Sequence, residues 1–321
     1  MRSSGRPPVG ALPRVFPGYM ARPYLVSSLA DLSADLVSAA RAKLPPGRAV
    51  RRIFVVPPQE YPGRSEGRFG PGQALIFSAD GVIHVQQATV PGQPAQARLV
   101  PNADVLYVQA GQLLLYDRLE IGYAEVGQAQ QVVVEYNSVG WDLLQPGLAD
   151  LLRNVSVAAP PPPVDPETPA IGAAEIERLP FKYANGIGIY TLAPGERLLA
   201  LAFQPDIWAR RYLIFRRQVT PAIVLALTDR HVSLIEEQRA LDRSRSYGWI
   251  FSFFPLHGVT GMRSQPAPLG RLIGIELLVA GATATHELEL TAEVTSSWEA
   301  QWRAHGGRWR VEDENGQRAV E

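Results

Sequence analysis

Seven arginines are the residues best placed for chemistry in this chain. Arg210, Arg211, Arg216 and Arg217 fall in one polar interval, and Arg239, Arg243 and Arg245 fall in another. A guanidinium offers a planar fork of donors that fits phosphate or carboxylate oxygens two at a time. Trp208, Tyr212 and Phe215 stand beside the first four, and aromatic rings suit the headgroup boundary of a membrane. The pattern fits an anionic ligand or an anionic lipid surface. It also fits a solvated loop that pairs with its own acids, because Glu236, Glu237 and Asp242 are close by. Lys43 and Lys182 are the only lysines, so the arginines reflect a composition bias before they reflect chemistry.

A second grouping is Trp249-Ile250-Phe251-Ser252-Phe253-Phe254. Strand alternation puts Trp249, Phe251 and Phe253 on one face and Ile250, Ser252 and Phe254 on the other. One face enters a core, and the other meets a sister unit, another protomer or a peptide. Signs of catalysis are absent. Gly186-Ile187-Gly188 starts a dinucleotide fingerprint, but Thr191 stands where the third glycine belongs, so the segment reads as a turn. His84, His231, His257, His286 and His305 are too dispersed for metal-ligand spacing. With no cysteine, thiolate metal sites, disulfides and cysteine nucleophiles are excluded. No enzyme, cofactor or metal is expected.

With 46% hydrophobic and 19% charged residues, the 321-residue chain can bury real cores, which excludes disorder over most of its length. Basic and acidic residues number 31 each, so no overall charge recruits nucleic acid. No apolar segment follows the arginines near the N-terminus, and Tyr247 to Met262 is broken by Ser252, Pro255 and His257. A spanning helix needs about 20 apolar residues. A soluble, cytoplasmic protein is the expectation.

The elements that must position these groups come in two sets. Pro160 to Pro163, with Pro166 and Pro169, form a semi-rigid spacer near the middle of the chain. The boundaries read as a loose leader over 1–26, a domain over 27–156, a linker over 157–170, a domain over 171–309 and a charged tail over 310–321. The halves look like copies. Pro46, Pro57 and Ala74 each have a counterpart 148 residues later, at Pro194, Pro205 and Ala222. Strands are expected at 49–56, 73–78, 82–87, 104–109, 112–116, 118–126 and 130–136. In the second copy they are expected at 197–204, 221–228, 231–237, 248–254, 258–264, 271–279 and 285–291. Helices are expected over Ser28 to Leu44, over Trp141 to Arg153 (with Pro146 a doubtful first turn), and after a Ser296 or Ser297 cap, with Gly306 as the stop.

The run Val224-Leu225-Ala226-Leu227-Thr228-Asp229-Arg230-His231-Val232-Ser233-Leu234-Ile235 resembles the bacterial pleckstrin-homology-like, or GRAM-like, domains. Phe254 to Gly261 is similar to a second family pattern. In the first copy Tyr116-Asp117-Arg118-Leu119 fits that place, whereas Ala79-Asp80-Gly81 lacks the Thr and Arg of the turn. The resemblance implies a mainly β protein of two tandem antiparallel sandwich or split-barrel domains, each capped by a C-terminal helix. It implies a non-catalytic scaffold that binds protein partners or itself. In family members that bind lipid headgroups, the loop rim that here carries the seven arginines does the binding. In a meander the connections 1–2 and 3–4 share one end of the sheet, so the arginines should gather there.

Overall fold

Apolar residues at alternate positions, broken by Gly, Pro and Asp, make the protein mainly β. The structure, a computed structural model, describes residues 21–60, 69–90, 92–112, 117–161, 167–192, 195–211, 215–237 and 248–312. The first half runs β1 (Tyr24–Val26), α1 (Ala34–Lys43), β2 (Val50–Val56), β3 (Gln59–Glu60), β4 (Phe69–Gly70), β5 (Gln73–Ser78) and β6 (Gly81–Gln86). It continues as β7 (Gln96–Pro101), β8 (Val105–Gln112), β9 (Asp117–Glu125), β10 (Gln128–Tyr136) and α2 (Trp141–Ala158). The second half begins with α3 (Ala173–Ile176) and α4 (Phe181–Gly186), which widens into a π turn over Ile187–Thr191. Then come β11 (Leu198–Gln204), β12 (Ile207–Arg211), β13 (Phe215–Thr220), β14 (Ile223–Thr228), β15 (His231–Glu237) and β16 (Trp249–Pro255). Last are β17 (Val259–Ala267), β18 (Gly270–Val279), β19 (Ala282–Leu290), α5 (Ala292–Ala304) and β20 (Trp309–Val311).

The strands form sheets of order β1-β2-β5-β6-β7, β10-β9-β8-β16-β15-β14-β11 and β19-β18-β17-β20, with β3-β4 and β12-β13 as separate hairpins. Pairing is antiparallel except between β17 and β20, and no sheet closes into a barrel among the described residues. The seven-stranded sheet is shared. β8 of the first half pairs with β16 of the second from Val108↔Phe253 to Gln112↔Trp249. Apolar residues cover both of its faces. One face joins Val108, Ile121, Val134, Val224, Phe251 and Phe253 to α2 and to the inner face of the five-stranded sheet. The other joins Leu225, Val232, Leu234 and Phe254 to the four-stranded sheet and to Trp298 and Trp302 of α5. A third cluster seals the outer face of the five-stranded sheet beneath α1.

Backbone irregularities repeat between the halves. The β2–β5 ladder shifts register between Val50 and Arg52, and the β11–β14 ladder shifts between Leu198 and Ala200, 148 residues on. The β8–β9 ladder shifts between Val105 and Tyr107, and β17–β18 between Val259 and Gly261, 154 residues on. The two-residue turns Val126-Gly127 and Ala280-Gly281, also 154 apart, take positive φ at both positions, the hairpin geometry that matches strand twist. Asn137 and Thr291 accept helix-start amides at the same spacing. The spacing is 150 for β5 and β6, because Ser78 matches Thr228. Ala74 therefore does not pair with Ala222 in this register; the longer β12–β13 insertion shifts it by two. Leu144, not Trp141, stands where Trp298 does, one helical turn away.

Other expectations need correction. Residues 104–109 and 112–116 are not two strands: β8 runs unbroken to Gln112, and 113–116 lie outside the described residues. β7 escapes notice because its edge position leaves Gln96 and Arg98 exposed. The capping box of Ser28 and Asp31 closes a single 3-10 turn, and α1 starts separately after Ser33. α2 starts before Pro146 and carries it inside as its sixth residue, at the expense of one backbone bond. α5 is capped by Thr291, whose hydroxyl accepts from the Val294 amide, rather than by Ser296 or Ser297; Gly306, at φ +77, ends it. The segment from Gly186 to Thr191, read as a turn, is helical despite Gly186 and Gly188 because Tyr183 and Ile187 are buried against the shared sheet.

Two outcomes follow for stability. Ala110→Asp places a carboxylate opposite Phe251 in the joint between halves and should cost about 3 kcal/mol or more; calorimetry should show one transition for the whole chain, shifted down. His84 lies buried beside Gln73, and burial, helped by Arg98, pushes its pKa down from 6.5 to about 4. The unfolded chain takes up that proton near pH 6.5 and the folded one resists, so stability should fall as pH drops from 6.5 towards 4. The loss is about 3 kcal/mol, and His84→Gln should flatten the slope in urea titrations.

Candidate functional site

A cluster of polar groups beside a cavity sits where α2, the Ile187–Thr191 turn and the shared sheet meet. The cavity, about 140 Å3, is walled by Trp141, Leu148, Leu152, Tyr190, Phe251 and Phe253, with Gln145, Arg153, Thr191, Glu196, Arg230 and His231 also on its lining. Tyr190 packs on Phe251 at 4.7 Å between ring centres and on Trp141 at 5.5 Å. A space of this size and character holds a group no larger than one aromatic ring.

Glu196 and His231 are the chemically suggestive members. Glu196, just ahead of β11, has a side chain only 1% exposed, and its carboxylate lies 2.9 Å from Nδ1 of His231. The Thr228 hydroxyl donates to the same oxygen at 2.5 Å and accepts the amides of Arg230 and His231. A carboxylate that orients a histidine is two parts of a hydrolytic triad. The third part is missing: Nε2 of His231 is buried, has no hydrogen-bond partner among the described residues, and its ring meets the Phe253 ring edge-on at 5.4 Å. The first half explains the arrangement. Arg48, the counterpart of Glu196, forms an ion pair at 2.8 Å with Asp80, the counterpart of Arg230, and Ser78 holds the Gly81 carbonyl as Thr228 holds that of His231. Both copies tie the residue ahead of the strand to the following hairpin, through a surface pair in the first and, one register position further on, a buried pair in the second.

The aromatic face anticipated from the sequence is turned inward. Phe251 and Phe253 are buried in the cluster that joins the halves, and Phe251 stacks on Trp141 of α2. Trp249 packs against Tyr183 of α4 at 5.2 Å, beneath Lys182, which pairs with Glu237. These residues thus form an interface between parts of one chain. Of the arginines, Arg210 and Arg211 lie on β12 and Arg216 and Arg217 on β13, with Arg210 opposite Arg216 in the ladder. Arg239, Arg243 and Arg245 lie outside the described residues. The register brings Gln204, Ile223, Glu236 and Ile250 side by side, so the β11–β14 and β15–β16 connections leave one end of the sheet. Among the described residues no three His, Asp or Glu side chains gather as a metal site, and no helix is long and apolar enough to cross a membrane.

Glu196 and His231 escaped the sequence reading because 35 residues separate them. The repeated Ser78–Gly81 and Thr228–His231 spacing was the available signal. No family model matches the chain, and no curated protein matches it. If the buried latch is structural, Glu196→Ala should take the carboxylate from the buried Nδ1 of His231 and cost about 2–4 kcal/mol in urea denaturation. Arg48→Ala, at the exposed counterpart, should cost less than about 1 kcal/mol.

Proposed function

We propose that the chain is a non-catalytic interaction protein: two tandem pleckstrin-homology-like domains, each closed by its C-terminal helix, that engage protein surfaces through sheet edges. The β8–β16 ladder supports this most strongly. An edge strand is a template for another strand, and here each half uses one edge to recognise the other. The Glu196–His231 pair, whose outer nitrogen is buried with no hydrogen-bond partner among the described residues, supports a structural role over a catalytic one.

A second reading, recognition of an anionic lipid or phosphate-bearing ligand, draws on the common end shared by the β12–β13 hairpin and the β15–β16 connection, and on half-exposed Trp208. Flotation with phosphatidylserine vesicles at low and at physiological salt separates the two. The interaction reading expects no flotation, and a mass in light scattering that rises with protein concentration. Salt-sensitive flotation that is lost in the Arg210→Glu/Arg211→Glu variant, with no self-association, would replace it by the lipid reading.

A further inference from the structure

The two halves use corresponding edges differently, and the difference defines an assembly surface. On β8, Val108, Gln109 and Ala110 pair with Phe253, Ser252 and Phe251 of β16. Their counterparts 154 residues on, Met262, Arg263 and Ser264 of β17, pair with Trp309, Arg310 and Val311 of β20. β20 therefore occupies the edge that, in the first half, receives the next domain. Trp309 fills the place of Phe253: it is buried with Met262, Trp298 and Trp302 in the core of the second half. The chain covers this edge with three residues in parallel pairing, where the first half receives five in antiparallel pairing, the more stable arrangement per residue.

The complementary edge is open. β7 is the counterpart of β16, ending in Pro101 as β16 ends in Pro255. β7 closes its sheet with no strand on its far side among the described residues. The bond from the Asn102 amide to the Asp80 carbonyl matches that from Leu256 to Arg230, so both strands have one hydrogen-bonding phase. In that phase Ala97 and Leu99 turn their N–H groups away from β6, as Phe251 and Phe253 turn theirs towards β8.

We infer that β20 is a displaceable cap, and that when it lifts, the β17 edge of one chain pairs with the β7 edge of a second copy, repeating the β8–β16 joint between molecules. Such contacts are head-to-tail and do not close by symmetry, so they grow beyond a dimer. This rests on the interaction reading above and deepens it by naming the partner and the edges.

The test uses full-length protein in sedimentation velocity. Met262 N–H reaches the Arg308 carbonyl and Glu312 N–H reaches that of Ser264, which puts the Arg310 N–H on Met262 in the parallel ladder. Arg310→Pro removes that bond and should tighten self-association about tenfold or more, with species larger than dimers. Adding Ala97→Pro, which blocks β7 without removing a β6–β7 bond, should abolish the growth, and a 1:1 mixture of this double variant with unaltered chain should stop at a heterodimer. Should Arg310→Pro fail to fold by circular dichroism, Arg263→Cys/Arg310→Cys joins register partners in a cysteine-free chain. Oxidised, it should stay monomeric at concentrations where the reduced form assembles. A folded, monomeric Arg310→Pro variant, growth indifferent to Ala97→Pro, or equal assembly of the oxidised and reduced forms would overturn the inference. Self-association that ignores all these changes would leave the interaction reading standing, whereas vesicle flotation without self-association would remove that reading as well.

Discussion

The architecture depends on five residues of β8 lying beside five residues of β16. Without that ladder the first half would expose an unpaired strand edge and the wall of its core that Phe251 and Phe253 complete. Gln109 adds a side-chain bond to Ser252 at 2.9 Å, on the face opposite those rings. The joint thus combines satisfied backbone groups, apolar burial on one side and a polar pin on the other. A buried backbone donor left unpaired is expensive, so a joint built from a ladder is held in register over its whole length.

Around this joint the halves have diverged in side chains and kept their backbone. Arg48, paired at the surface with Asp80, has as its counterpart Glu196, buried against His231 and Thr228. α1 and the helical segment ending at Thr191 both cover the outer face of a first sheet, yet one is regular and the other breaks into a π turn. The register shifts and the positive-φ hairpin turns persist. A bulge sets which side chains face inward along the rest of a strand, so losing one would reverse a whole face, whereas a side-chain exchange disturbs one contact.

Much of this was legible in the residues. Runs such as Ile53 to Val56 and Ile223 to Leu227 are buried on both faces, and continuous apolar runs announce such strands. β7 was hidden because an edge strand shows polar residues to water. The helix at 181–191 was hidden because its glycines obscure the period, and its stability comes from packing on a sheet that the local sequence does not reveal. Thr291 was passed over for nearer serines, although capping depends on where the preceding strand ends. The aromatic face at Trp249 to Phe253 was visible as a surface that needed covering, but nothing local says that α2 and α4 cover it. Pairing between β8 and β16 is made by backbone groups that every residue carries, so composition holds no trace of it.

The joint also has a consequence for synthesis. Chains leave the ribosome from the N-terminus at about 5–20 residues per second. By the time Tyr136 completes the β strands of the first half, Phe251 and Phe253 have yet to be made. For roughly ten seconds the nascent chain therefore carries a nearly finished domain whose β8 edge and aromatic-lined wall have no covering strand. The four prolines Pro160 to Pro163 that come after α2 make a poor strand there, because none of them carries the amide hydrogen that a ladder requires. A spacer that is inert as a strand keeps that edge vacant until its intended neighbour emerges.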